Sequence, residues 1–559
     1  MTLSAEPSLM NKPRAVLRPI DWVLIFCVTA AALSPMLIGP LSLLDDNMML
    51  TQNARVHRLT ADNLASHWLS PSFRIYMPLT LTIWNVLGHF AMTPLPGASV
   101  DATIHVLPFK LTSLIAHALA ACVAAWAISQ FVPRRWPSIV GGLIVGLHPF
   151  QVESVAWTTG LKDVLCGLFS FAVIGFYARF VQSPGDGHAQ APYKNRDWLL
   201  ALCMMLLACA SKPTAMTLPA SLLVIDLLVR RRADVAERLL GLFAFALVAA
   251  VIAGIMLNTQ NDPDVGRVAW YLQPLVAADS YAFYLKKIVL AWDFVQDYGR
   301  HPQWIFQSGV AWHTWIVPVV VLVGVLLTRS KALLLALVFF VVPITPVSGI
   351  VRFDMQQYST VTDHYMYTAM LGPGLAIALL LGRTKRAAVC VAVCVALTAL
   401  GVQSARQAKL WADNTSLLKH TLSYNPQSWM TRSMLGGVAL TRGDVINGRR
   451  LSEEALSFNP RAAAALRNMI RVEAGAGKLA LSADYARRVV ESSSLYEASD
   501  ARTLMIMATK INNRDLAEQG VRAWIVKEPG NPVALGVLRD IRRAAAAEKA
   551  ASQPAPAKK

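Results

Sequence analysis

The chain has 559 residues, 55% of them hydrophobic and only 15% charged, with a formal net charge of +18. Soluble proteins carry roughly a quarter charged residues, and the mean hydropathy here is +0.43, which excludes an ordinary water-soluble globular protein. The charge does not imply nucleic acid either, because the basic residues cluster in short loops between apolar runs, at 133–135, 230–232, 328–331 and 383–386, the distribution that orients membrane proteins.

Residues 1–21 read as a basic cytoplasmic tail, since they precede a long apolar run without a small-residue cleavage site. Apolar runs then recur, each long enough to cross a hydrocarbon core about 30 Å thick. About eleven spans are expected, near 22–40, 107–131, 136–150, 163–181, 198–211, 214–230, 238–257, 312–328, 332–349, 365–382 and 387–404. With the N-terminus inside, the basic clusters fall on the cytoplasmic side, and the loops 41–106, 151–162, 258–311 and 350–364 face outward. The half-apolar stretch 268–292 reads as a surface helix or a re-entrant piece. All seven cysteines fall in apolar runs, where a thiol behaves as a small hydrophobe.

After about residue 405 the pattern becomes polar, alanine-rich and helical. "LSYNP" at 422–426 and "LSFNP" at 456–460 stand 34 residues apart, the period of a tetratricopeptide repeat. Leu435-Gly436, Gly443, Gly448 and Ala455 between them occupy the small and apolar positions where two helices of such a repeat pack. The repeats resemble that family over 405–543, with a disordered tail expected at 544–559. A concave surface for a peptide or protein partner is the usual use of such repeats; a structural cap on the membrane domain is the alternative. The expected fold is all-α: a polytopic membrane helical bundle over 22–404, then an α-solenoid.

Polar residues recur in the outward loops. Asp45 and Asp46 stand at the mouth of the first span, where a simple helix cap is the plainer explanation. The next outer turns hold His148, Glu153, Lys162 and Asp163, then Lys212. Further along come Tyr298 and Arg300, then Arg352, Asp354, Asp363, His364 and Tyr365. Charges at membrane depth are costly, about 2.5–3.5 kcal/mol each on insertion scales, and tend to mark function. Four ionic loops on one face suggest a shared cavity.

"DDNMMLTQNARV", "LTADNLASHWLSPSFRIYMPLT", "LHPFQVESVAWTTGLKDVL", "SKPTAMTLP", "DYGRHP" and "FDMQQYSTVTDHYMY" occur in this order. Together they resemble bacterial relatives of the transmembrane and tetratricopeptide-repeat O-mannosyltransferases, integral-membrane glycosyltransferases of the GT-C class. The similarity covers about 40–530. The chain departs from the family at Met77, where a basic residue is usual, and at Asp363-His364-Tyr365, where the middle residue is usually arginine. Arg74 and Arg352 are nearby candidates to compensate.

The resemblance implies sugar transfer at the periplasmic face of a bacterial inner membrane, from a polyprenyl-phosphate-linked donor to a hydroxyl of a protein or surface glycan. The residues suit that chemistry. No Gly-rich nucleotide-phosphate loop is present. An acceptor hydroxyl needs a general base, for which Asp45 is the first candidate and Asp46 the second. Charge on the departing phosphate needs cations or donors; Arg74, Lys162, Lys212, Arg352 and His364 are candidates, with Glu153, Asp163, Tyr298 and Asp363 positioning them or the substrate. Asp46, Glu153 and Asp163, with His148 close in sequence, are compatible with a divalent cation such as Mg or Mn without specifying one; ion pairing with Lys162 explains Glu153 and Asp163 equally well. A membrane-anchored scaffold for envelope assembly and a transporter are the competing functions. A transporter would place charges at the bilayer midplane with internal symmetry, and the sequence has no inverted repeat.

Overall fold

The computed structural model describes residues 15–94, 102–182, 192–229, 235–259, 268–384, 386–492 and 496–551. The described chain is helical apart from one antiparallel ladder, Met92–Pro94 against Ala102–Ile104. It forms two compact units, Met1–Leu417 and Leu418–Lys559.

The first unit is built on α1 (Pro19–Leu33), α2 (Leu107–Ser129), α3 (Arg135–Leu147), α4 (Phe150–Ala156), α5 (Leu161–Gln182), α6 (Arg196–Ser211), α7 (Leu218–Val229), α8 (Val235–Thr259), α9 (Gln273–Val289), α10 (Lys331–Ile344), α11 (Leu371–Leu381) and α12 (Ala387–Leu410). Local chemistry sets their starts. Pro19 opens α1 and Asp21 reaches back to the Arg18 amide at 2.8 Å; the Asn195 side chain accepts from two amides at the head of α6.

α2 is central, packing against α1, α3 and α5. Its buried face is mostly alanine, from Ala116 to Ala127, and small residues let apolar helices approach closely. The same logic holds where α3 meets α11: a Cβ on Gly141 would stand 2.8 Å from the Gly374 carbonyl oxygen.

Each expected span coincides with a helix, and among the described residues five helices are long and apolar enough to cross a membrane: Pro19–Ile38, Leu107–Ser129, Thr158–Gln182, Val235–Thr259 and Ala387–Leu410. A sixth arises if α3 and α4, bent by 59° across His148-Pro149, count as one. The others are shorter because prolines such as Pro213 and Pro343 break or kink the apolar runs. The apolar helix Ile316–Leu327 buries no residue at all within the described chain, as expected of a surface that meets lipid.

The loop expected at 41–106 is largely helical, with Ala54–His57, Ala61–Leu69 and Pro78–Ala91 preceding the short ladder. The ambiguous stretch 268–292 contains α9, which buries Val276, Ala277, Asp279, Ser280 and Tyr284 and is not among the helices apolar enough to span.

The second unit contains three helical hairpins, α13 (Trp429–Thr441) with α14 (Val445–Phe458), α15 (Ala463–Gly475) with α16 (Leu479–Ser492), and α17 (Ala498–Lys510) with α18 (Arg514–Lys527), followed by α19 (Pro532–Ala551). The hairpin turns repeat the sequence period: Gly443 and Gly477 take positive φ in the first two, and Asn512 does so in the third. The tail expected to be disordered from 544 is helical as far as Ala551, since its alanines are strong helix formers; 552–559 lie outside the described residues.

Candidate functional site

Asp46 is fully buried. It does not cap the turn that follows it. Its carboxylate instead turns back to accept the Ser42 amide at 2.8 Å and across to accept the Thr159 amide at 2.9 Å. Burial pushes its acid above the ordinary range, and the backbone amides of Ser42 and Thr159 hold it down. Asp46 is thus a clamp between two loops.

Asp45 differs. It is half-buried, and among the described residues its carboxylate accepts no hydrogen bond. Burial raises its acid above the ordinary value, opposed by the charges of Lys162 and His364. The twin aspartates therefore divide into one held by two backbone amides and one that accepts no hydrogen bond among the described residues.

The bend after α3 carries the next group. Lys162 donates to the Thr159 carbonyl at 2.8 Å and lies 4.2 Å from the Trp157 ring centroid. Asp163 pairs with Lys212, which comes from the turn after α6 and sits 5.7 Å from the Tyr365 ring. The turn over Asp363–Met366 closes the group. His364 Nδ1 stands 2.8 Å from Glu153 Oε1, while Glu153 Oε2 accepts the Asp363 amide at 3.1 Å. Behind them, Tyr298 donates to Asp363 Oδ1 at 2.6 Å. Burial and the neighbouring Glu153 push the Asp363 acid well above its ordinary value. The turn is seated against α5 at Gly167, where any Cβ would collide with the Tyr367 ring.

A small cavity of about 30 Å³ opens beside this group. Asp163, Lys212, His364 and Tyr365 line its polar end, and Ile174, Leu218, Phe339, Pro343 and Val347 contribute apolar walls. These walls come from α5, α7 and α10 and the short turn after α10. Cys166, Ser170, Thr214, Thr217, Ser221 and Thr368 complete the lining, so the cavity walls are mixed in polarity.

Asp45, Glu153, Lys162, Asp163, Lys212 and His364 are thus brought within contact or electrostatic reach of one another. Three expected participants are set apart from the cleft. Arg74 pairs with Asp354 at 3.0 Å, Arg352 donates to the Val268 carbonyl at 3.3 Å, and the Tyr298 hydroxyl is spent on Asp363. Asp46, Glu153 and Asp163 each have their own protein partners, and no group of three His, Cys, Asp or Glu suited to a metal occurs among the described residues. His148 is held by the Ile288 carbonyl at 3.3 Å and stacked on Phe150, as a core histidine.

Two residues escape a reading of the sequence. Trp157, under Lys162, looks like one more interfacial aromatic. Lys110 is a lone cation in an otherwise apolar run, yet it is buried with its Nζ on the Met36 and Ala156 carbonyls at 3.2 and 3.4 Å; its charge inside a span was the available clue. Compared with protein-family models and with curated proteins, the chain matches none.

Proposed function

We propose that the chain is a membrane glycosyltransferase of the GT-C class that moves a sugar from a polyprenyl-phosphate donor to a hydroxyl on a protein or surface glycan. The single observation that carries this is the cleft, which sets Lys212 and His364 beside the apolar side chains of Ile174, Leu218, Phe339 and Val347. The donor phosphate would sit at the polar end and its prenyl chain along the walls.

In this mechanism Asp45 takes the acceptor proton as the new glycosidic bond forms, and the sugar inverts in a single displacement. The bond from the anomeric carbon to the phosphate oxygen breaks, leaving charge on the phosphate that Lys212 and His364 meet. Lys162 opposes the upward shift that burial imposes on the Asp45 pKa. Lys212 and His364 each already face a carboxylate, Asp163 and Glu153.

The proposal extends to the setting. The shorter apolar helices complete about eleven spans in a bacterial inner membrane, with the N-terminus cytoplasmic and the cleft periplasmic. The C-terminal hairpins form a periplasmic tetratricopeptide solenoid that engages the acceptor. The test compares glycoproteins and surface glycans by mass spectrometry in cells overexpressing the wild-type chain, cells overexpressing Asp45→Asn, and a deletion strain. A glycan product present only with the wild-type chain supports transfer. A wild-type profile identical to that of the deletion strain sinks it, and a product that survives Asp45→Asn removes Asp45 as the base.

A further inference from the structure

Lys110 lies in the first turn of α2, is only 1% exposed, and is not among the residues that line the cleft. Its ammonium donates to Met36 O, near the end of the first apolar segment, and to Ala156 O, at the end of α4. Gly39 packs directly over it: a Cβ at 39 would stand 2.8 Å from Lys110 Nζ and would strike the Trp411 carbonyl. Asp46 lies within electrostatic reach of Lys110. The two side chains do not form an ion pair; what joins them is the pair of chain stretches that both hold.

The same two stretches of chain are therefore tied twice. Lys110 holds 36 and 156 through their carbonyls, and Asp46 holds 42 and 159 through their amides. One stretch ends at Asp45 and the other leads into Lys162. Building on the glycosyl-transfer reading, we infer that Lys110 is a positioning residue that, with Asp46, locks 36–46 onto 156–159 and so sets where Asp45 stands relative to Lys162.

The test uses the full-length chain in detergent, with Lys110→Met, Asp46→Asn and the double variant. Each single change breaks one of the two ties and lowers Tm. Where both ties form one lock, opening the first leaves less for the second to lose, so the double variant's loss falls well short of the sum of the two. Lys110→Met lowers kcat by about 100-fold, the scale of an ångström-sized misplacement, with the KM for a prenyl-phosphate sugar unchanged because the cleft is untouched. Lys110→Gln shortens the side chain and weakens the same tie, and serves the same cycle where the methionine variant fails to fold. Additive Tm losses, or wild-type kcat in a folded Lys110 variant, overturn the lock. A wild-type chain without any transferase activity overturns the function instead, while the Tm cycle still decides the lock.

Discussion

At the scale of single residues, two adjacent carboxylates do different work. Asp45→Asn is expected to remove transfer activity by about 10²–10⁴-fold, the usual contribution of a general base, with Tm little changed because its carboxylate accepts no hydrogen bond among the described residues. Asp46→Asn loses an ionised acceptor of two buried amides and should cost about 1–3 kcal/mol of stability, read as a fall in Tm. The Asp45 acid stands above its ordinary value through burial, with Lys162 and His364 opposing that rise. Activity should therefore fall as pH drops through this raised value, as the base takes up its proton. Lys162→Met removes one of the two opposing cations, so the acid limb of the kcat–pH profile should move to higher pH; a limb that stays in place would show that Lys162 does not act on Asp45.

At the scale of elements, the site depends on how the 363–366 turn is seated. Gly167 on α5 leaves room only for the Tyr367 ring. Gly167→Ala should overpack this contact, at a cost of about 1–3 kcal/mol, and move His364 away from Lys212. Donor binding measured with a fluorescent prenyl-phosphate probe should weaken, whereas Gly254→Ala, in open space on α8, should bind as the wild type does.

At the scale of the whole molecule, Cys27, Cys203, Cys390 and Cys394 are exposed on apolar helices. Exposure toward lipid and exposure toward water have opposite consequences for a thiol reagent. In native vesicles a membrane-impermeant maleimide should leave all four unlabelled, and denaturation should expose them. Rapid labelling of Cys390 or Cys394 in intact vesicles would place that face of α12 in water and not in lipid. The division at Leu417 also makes a chain truncated there a fair test of the C-terminal hairpins. It should keep its membrane extraction profile while losing use of a polypeptide acceptor.

Composition alone determined the helical, apolar character of this protein, because the proportion of charged residues and the length of the apolar runs directly reflect the solvent a chain must meet. The 34-residue spacing of "LSYNP" and "LSFNP" likewise anticipated the helical hairpins, since a repeat is a local pattern. Helix lengths were less legible: prolines such as Pro343 shorten apolar runs in ways that hydropathy does not register. The partners of the polar residues were not legible at all. Glu153 and His364 are 211 positions apart in sequence, and nothing local says that one will hold the other, that Arg74 will be drawn off to Asp354, or that Asp46 will be sealed inside while Asp45 remains free. Those outcomes depend on how α2, α5 and the turns around them pack, and a buried charge finds its partner only when the whole fold closes over it.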